Sequence, residues 1–343
     1  MGSKARLAVM GAGLIGRRHV EHVAREAELA AIVDPSPAAG AIADAHGVPL
    51  FPDLAALLQR ETPDGIIVAT PNQFHVENGL ECVAAGIPFL VEKPIAHEVE
   101  AAERLVDAAE AAGVPVLVGH HRRHNPLIRR ARQAIEAGRL GTVVAVQATC
   151  WFYKPDDYFD VEWRRRPGAG PVFINLIHDI DLLRHLCGDI ASVQALESSA
   201  VRGNPVEETA GILLRFRNGA IGTMTVSDTV AAPWSWELTA GENPAYPRTG
   251  QSCYVIGGTH GSLSIPDLSL WRYEGKRSWW EAIGRERLDF EDEDPLALQI
   301  RHFADVALGR AAPLVSGREG LETLKVVSAV KESARSGATI AMD

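Results

Sequence analysis

No stretch of the chain is long and apolar enough to span a bilayer, so membrane-embedded functions drop out. Basic residues are not in excess either: 34 Lys and Arg stand against 44 Asp and Glu, a formal net charge of -10. Nucleic acid and anionic membranes are bound by neutralising phosphate with Lys and Arg, so neither is expected as a partner. Cysteines are few. Cys82, Cys150, Cys187 and Cys253 are scattered without a CxxC pair, which predicts reduced, buried, small apolar side chains. The N-terminus runs into a strand pattern with no signal-peptide composition, and together with the thiols this predicts a cytoplasmic location. His120, His121 and His124 lie close together but have no carboxylate or cysteine cluster nearby, so no metal site is expected. No internal repeat is visible.

What is present fits an ordinary globular enzyme. The 343 residues, 46% hydrophobic and 23% charged, exceed what one core usually organises, and two domains are expected. Apolar runs at Arg6 to Met10, Leu29 to Val33, Gly65 to Ala69, Phe89 to Val91 and Val114 to Val118 alternate with Ala-rich helical stretches. That alternation predicts an α/β Rossmann domain with a doubly wound parallel sheet over residues 1–122. From Thr142 strand follows strand, at Val143 to Phe152, Val193 to Ala200, Gly211 to Phe216 and Ala220 to Ser227. Arg217-Asn218-Gly219 carries the Asn-Gly step of a tight hairpin. Residues 123–343 are therefore expected to form an α+β domain with a large, open, mainly antiparallel sheet. Helical patterns at Pro126 to Ala137, Asn175 to Cys187, Leu296 to Leu308 and Gly317 to Ser336 are expected to cover one face of it. Asp289 to Asp294 reads as a solvated acidic loop.

Gly11-Ala12-Gly13-Leu14-Ile15-Gly16 follows the first strand and opens a helix. In such a turn the first glycine permits the tight bend, and the second lets backbone N–H groups approach a pyrophosphate. The third lets the helix pack closely, while the helix N-terminus faces the anion. Asp34 ends the second strand about twenty residues on, where a carboxylate accepts hydrogen bonds from ribose hydroxyls. It would repel a 2'-phosphate, and no Arg or Lys follows in Pro35-Ser36-Pro37. NAD is thus favoured over NADP. The alternative is that Asp34 only ends a strand as a turn residue.

Further along stand Ala69-Thr70-Pro71-Asn72 with His75, Val91-Glu92-Lys93-Pro94, and Gly119-His120-His121-Arg122-Arg123, each after a strand. With the glycine fingerprint and the ending Pro313-Leu314-Val315-Ser316-Gly317, the chain resembles the Gfo/Idh/MocA family of oxidoreductases along essentially its whole length. The resemblance implies that Gly11, Gly13, Leu14, Ile15, Gly16, Asp34, Thr70, Pro71, Asn72, His75, Glu92 and Lys93 line the NAD site. It implies that Lys93 is the central catalytic residue, preceding a Pro94 in cis. Arg164, before Gly168-Ala169-Gly170, resembles a segment that approaches the cofactor; otherwise it is an exposed loop arginine.

Taking hydride from an alcohol carbon requires that the hydroxyl proton leave, hence a positioned base. Lys93 serves only if uncharged, which Arg122 nearby would favour and pairing with Glu92 would oppose; both remain open. An imidazole titrates near neutral pH, so His178, in Asn175-Leu176-Ile177-His178-Asp179-Ile180-Asp181, can take or return that proton, with Lys93 polarising the same oxygen. Steps of three keep Asn175, His178 and Asp181 on one helix face. The resemblance gives Arg122 and Asp181 to other hydroxyls of a polyol, with Asn175 beside the imidazole. One departure stands out: many relatives carry Asp four residues before this His, where this chain has Ile174. An amide can orient an imidazole without offsetting its charge. The expected function is hydride transfer between NAD and a secondary alcohol of a sugar, cyclitol or sugar acid. The alternatives are an NAD-binding regulator without turnover and a cofactor-retaining enzyme acting on glycosides. An open sheet with helices on one face also needs cover, so a homodimer or homotetramer is expected.

Overall fold

The structure, a computed structural model, describes residues 4–166 and 168–342. It divides into two compact units, residues 1–125 with 293–324, and residues 126–292 with 325–343.

The first unit is built on β1 (Arg6–Met10), β2 (Glu28–Val33), β3 (Leu50–Phe51), β4 (Gly65–Val68), β5 (Phe89–Val91) and β6 (Val116–Val118). They form one sheet in the order β3-β2-β1-β4-β5-β6, every pair parallel. The strands read as unbroken apolar runs because a parallel sheet is covered on both faces. Register decides where chemistry is placed. Val118, Val91, Val68, Met10 and Val33 stand in one row across the sheet, so the residues after each strand emerge at a common edge. Strand order reverses between β1 and β4, which is where open α/β sheets leave a crevice.

The helix Pro295–Ala307 corrects one expectation. It packs in the first unit and does not cover the antiparallel sheet. The cause is a fit of shapes: a Cβ on Gly65 would lie 2.9 Å from the Phe303 ring and 3.0 Å from Ala307, so the bare glycine in β4 makes the slot that receives this helix.

The second unit carries β7 (Val143–Trp151), β8 (Ile190–Ser198), β9 (Thr209–Phe216), β10 (Ile221–Ser227), β11 (Tyr254–Gly258), β12 (Gly261–Ile265), β13 (Ser269–Arg272), β14 (Gly284–Arg287) and β15 (Ile340–Ala341). Their order is β14-β13-β12-β11-β7-β10-β9-β8-β15, antiparallel except for the β7–β10 pair. The Asn218–Gly219 hairpin joins β9 to β10 as expected, with Gly219 at φ +89°. One face supplies Val193, Ile212, Leu214, Met224, Val226, Tyr254 and Leu263 to a core closed by Leu127, Ile128, Ile177, Ile180, Leu183 and Val327 from three helices. The opposite face leaves Leu196, Leu213, Ile221, Val255 and Trp271 exposed. Among the described residues, no helix is long and apolar enough to cross a membrane.

Candidate active site

At the end of β1 the chain turns through Gly11 at φ +92°, where a Cβ would lie 2.6 Å from the Ala69 carbonyl oxygen. A Cβ on Gly16 would lie 1.9 Å from the Gly11 carbonyl oxygen, so this helix sits directly on the turn. Gly13 differs: nothing lies within 4 Å of where its Cβ would be. Gly13 is also the N-cap of the helix Leu14–Glu26, which has no side-chain cap and no acidic residue in its first turn. The result is a helix N-terminus with free donors, partial positive charge and open space before it, the donor set that a pyrophosphate requires. Asp34 stands beside it. Its Oδ2 accepts from Ala12 N–H at 2.7 Å and its Oδ1 from Ser36 N–H at 2.8 Å. A carboxylate has about four acceptor positions, so two backbone bonds fix its orientation and leave lone pairs for ribose hydroxyls. Turn residue and ribose acceptor are therefore compatible roles. Pro71 and Asn72 form the exposed rim after β4, beside half-buried Thr70, whose hydroxyl donates to Asn78 Oδ1 at 2.9 Å.

Two residues expected on the cofactor are turned inward. His75 is fully buried, with Nδ1 2.8 Å from the Pro94 carbonyl and Nε2 2.8 Å from the Thr70 carbonyl. It ties the loop after β4 to the loop after β5. Glu92 places Oε1 2.7 Å from His19 Nε2 and Oε2 3.2 Å from the Lys93 N–H. Its carboxyl lies where a Cβ on Gly119 would come within 3.0 Å, which explains the glycine after β6. Burial raises the Glu92 carboxyl, but the His19 hydrogen bond and the fields of His19, His121 and Lys93 outweigh it, and its pKa falls to about 2. Lys93 itself is partly buried between this anchored carboxylate and a cis Lys93–Pro94 peptide. Arg122 is buried in the turn His121–His124 after β6. His19, three residues beyond the glycine fingerprint, went unread because its partner is 73 residues away.

These environments set an acid response. Burial lowers His22, His75 and His302 from their ordinary 6.5. As pH falls through 6.5, the unfolded chain binds protons that the folded imidazoles refuse, so stability is lost below that point. Glu92 is depressed from 4.5 to about 2, so its contribution is complete above 4.5 and lost as pH falls toward 2. Melting temperatures measured from pH 7.5 to 3 should decline in two stages, first below 6.5 and again below 4.5. The first stage should shrink in His75→Asn, and a flat profile to pH 4 would contradict these directions.

In the second unit, the segment carrying Asn175, His178 and Asp181 starts earlier than expected, with one π-helical turn over Val172–Leu176 before the α-helix Ile177–Cys187. His178 and Asp181, both within the α-helix and three apart, share a face; Asn175 enters from the wider turn. His178 is 8% exposed and Asp181 is 1% exposed, while Asn175 is partly buried with no partner for Oδ1. Glu207 holds the start of this segment. Its Oε1 accepts from Val172 N–H at 3.1 Å, and its Oε2 pairs with Lys331 at 2.6 Å. A Cβ on Gly170 would lie 2.0 Å from that carboxylate, so only glycine allows the approach. On the far side the Tyr254 hydroxyl donates to buried Asp179, and Trp236 stacks on the Tyr254 ring at 6.0 Å. Arg164 donates to the Tyr158 carbonyl at 2.8 Å with its guanidinium 4.1 Å above that ring, so it is engaged within its own loop. That loop is pinned by Lys154, Asp228 and Arg202, where Arg202 meets Asp228 at 2.6 Å. None of these anchors carries a local sequence pattern. Among the described residues, no group of three His, Cys, Asp or Glu is arranged to hold a metal.

Comparison with known proteins agrees with both halves. Residues 5–120 match the family described as an oxidoreductase family with an NAD-binding Rossmann fold, and residues 128–264 match the GFO/IDH/MocA C-terminal domain. D-apiose dehydrogenase of Paraburkholderia graminis is 28% identical over 97% of this chain and 88% of its own length. Inositol 2-dehydrogenase 2 of Saccharopolyspora erythraea is 29% identical over 78% of this chain and 76% of its own. Among solved structures, the WlbA dehydrogenase of Bordetella pertussis, in complex with NADH and UDP-GlcNAcA, is 27% identical with a TM-score of 0.79, covering 99% of each chain.

Proposed function

We propose that this chain, which belongs to the Gfo/Idh/MocA family of NAD-binding oxidoreductases, is a dehydrogenase acting on a secondary alcohol of a sugar, cyclitol or sugar acid. The observation that carries the reading is the uncapped, acid-free helix N-terminus behind Gly13 with Asp34 fixed at its side. Gly11 to Gly16 and Asp34 are the residues to hold the dinucleotide, with Thr70, Pro71 and Asn72 along its rim. Bound NAD supplies the hydride acceptor or donor. Lys93 handles the proton of the reacting hydroxyl from the end of β5, where the buried Glu92 carboxylate fixes its backbone. His178 is the second proton-transfer group, its helix anchored by Glu207 and Tyr254. Asp181, Asn175 and Arg122 are the residues for the remaining hydroxyls, and the unpartnered Asn175 Oδ1 is an acceptor awaiting a donor.

The test is the purified chain with NAD or NADP against a panel of cyclitols, aldoses and sugar acids, followed at the absorbance of the reduced nicotinamide. Reduction with NAD well ahead of NADP is expected. NAD binding without turnover on any member would favour the regulator reading, which the Ile174 departure motivates, and NAD copurifying without net reduction would favour a cofactor-retaining enzyme.

The exposed face of the second sheet is the proposed contact with another copy of the chain. Leu213 and Ile221, 49% and 42% exposed, stand on it in adjacent strands. Leu213→Arg with Ile221→Arg would bury two unpaired charges at several kcal/mol, so dissociation should strengthen by about a hundredfold or more at about 1.4 kcal/mol per decade. Sedimentation should show the wild type as a dimer or tetramer and the variant as monomer; a monomeric wild type would end this part of the reading.

A further inference from the structure

A cavity with the chemistry of a binding site lies against the antiparallel sheet. It has a volume of about 330 Å³ and is lined by Arg248, Arg285 and Arg287 together with Gln251 and Asp267. None of these residues belongs to the proposed NAD or substrate sites. We propose that this cavity is a binding site for a small polyanion, a compound bearing phosphate or several carboxylates.

The arrangement follows from the fold. Arg285 and Arg287 are two apart on β14 and so project to one side, while Glu286 between them projects to the other and pairs with Arg139. Among the described residues, neither Arg285 nor Arg287 has an ion-pair partner. Arg248 reaches the same cavity from the loop after the helix Trp236–Thr239, donating to the Thr239 carbonyl at 3.3 Å. Its stem lies along Gly241, where a Cβ would come within 2.9 Å of it. Arg285 is steadied over the Trp271 ring at 5.8 Å.

Among the described residues, the one acid lining the cavity is already committed. Asp267 accepts from Ser252 at 2.6 Å, from Ser264 at 2.5 Å and from Ser269 at 2.5 Å. Three guanidiniums thus face a carboxylate whose oxygens are turned to hydroxyls, in a chain with a net charge of -10. Guanidinium forks match phosphate and carboxylate geometry with two parallel hydrogen bonds each. The volume sits at the lower end for ligand pockets, which suits a compact anion.

The experiment is calorimetric titration of inorganic pyrophosphate into the full chain saturated with NAD, so that the glycine turn is filled, in low-salt buffer. One anion per chain is expected, weakening as salt is added. In Arg285→Gln with Arg287→Gln, checked for folding by circular dichroism, binding should weaken at least tenfold, about 1.4 kcal/mol. If that variant does not fold, Arg248→Gln, outside the sheet, replaces it with the same criterion. Equal affinity in wild type and variant overturns the proposal, as does failure of the wild type to bind. Failure to bind together with a loss of oligomer in the variant would assign the three arginines to contact with another copy of the chain instead.

Discussion

Lys93→Ala should lower turnover by about 10²- to 10⁴-fold, the usual contribution of a positioned proton-transfer group, and leave NAD affinity unchanged. The scaffold predicts this split. Glu92 is held by His19 and by the backbone N–H of residue 93, and Pro94 is held through its carbonyl by His75. The bonds to residues 93 and 94 are made through their backbone, so they persist when the lysine side chain is removed. Arginine should not rescue, because a guanidinium does not give up its proton in the working range. His19→Ala should behave differently, releasing the Glu92 carboxyl and disturbing stability as well as rate. Steady-state kinetics for Lys93→Ala and Lys93→Arg, with NAD affinity measured by titration, check the first claim. A variant within a few-fold of wild-type turnover would remove Lys93 from the chemistry.

Gly16→Ala should weaken NAD binding by a different route from Gly13→Ala. At Gly16 the added methyl would lie 1.9 Å from the Gly11 carbonyl oxygen, a distance no real contact shows, so the helix must move off the turn. Overpacking of this kind costs about 1–3 kcal/mol, and the moved helix no longer aims its donors at the pyrophosphate. Stability and affinity should fall together. At Gly13 the methyl meets nothing within 4 Å, and φ is -68°, which alanine adopts freely. That variant should melt like the wild type yet bind NAD more weakly, because the open space is where the dinucleotide backbone lies. Thermal melts paired with NAD titrations separate the two. If Gly13→Ala binds NAD as well as the wild type, the pyrophosphate does not lie against this turn.

The same glycines show what local sequence makes legible. Gly11, Gly16 and Asp34 take positions set by neighbours whose placement a strand, a turn and a helix dictate within one βαβ unit, and their geometry was legible for that reason. So was the Asn218–Gly219 hairpin. The strands β11 to β14 were not, since Gly257, Gly258 and Gly261 and then Pro266 interrupt the alternation by which a strand is read. The inward turn of His75 and Glu92 was equally hidden: their residue types suit a cofactor, and only the carbonyl and imidazole waiting beneath them redirect the side chains.

By itself the sequence determined the Rossmann unit, the glycine turn after β1 and the change to an antiparallel sheet, because these depend on backbone preferences and periodicities spanning a few residues. Tertiary structure alone decided that residues 293–324 return to the first unit, that Glu207 and Lys331 hold the helix of His178, and that Arg248 shares one cavity with Arg285 and Arg287. Those outcomes depend on complementarity between surfaces far apart in the chain, such as the slot that Gly65 leaves for Phe303, and no local pattern encodes which surfaces will meet.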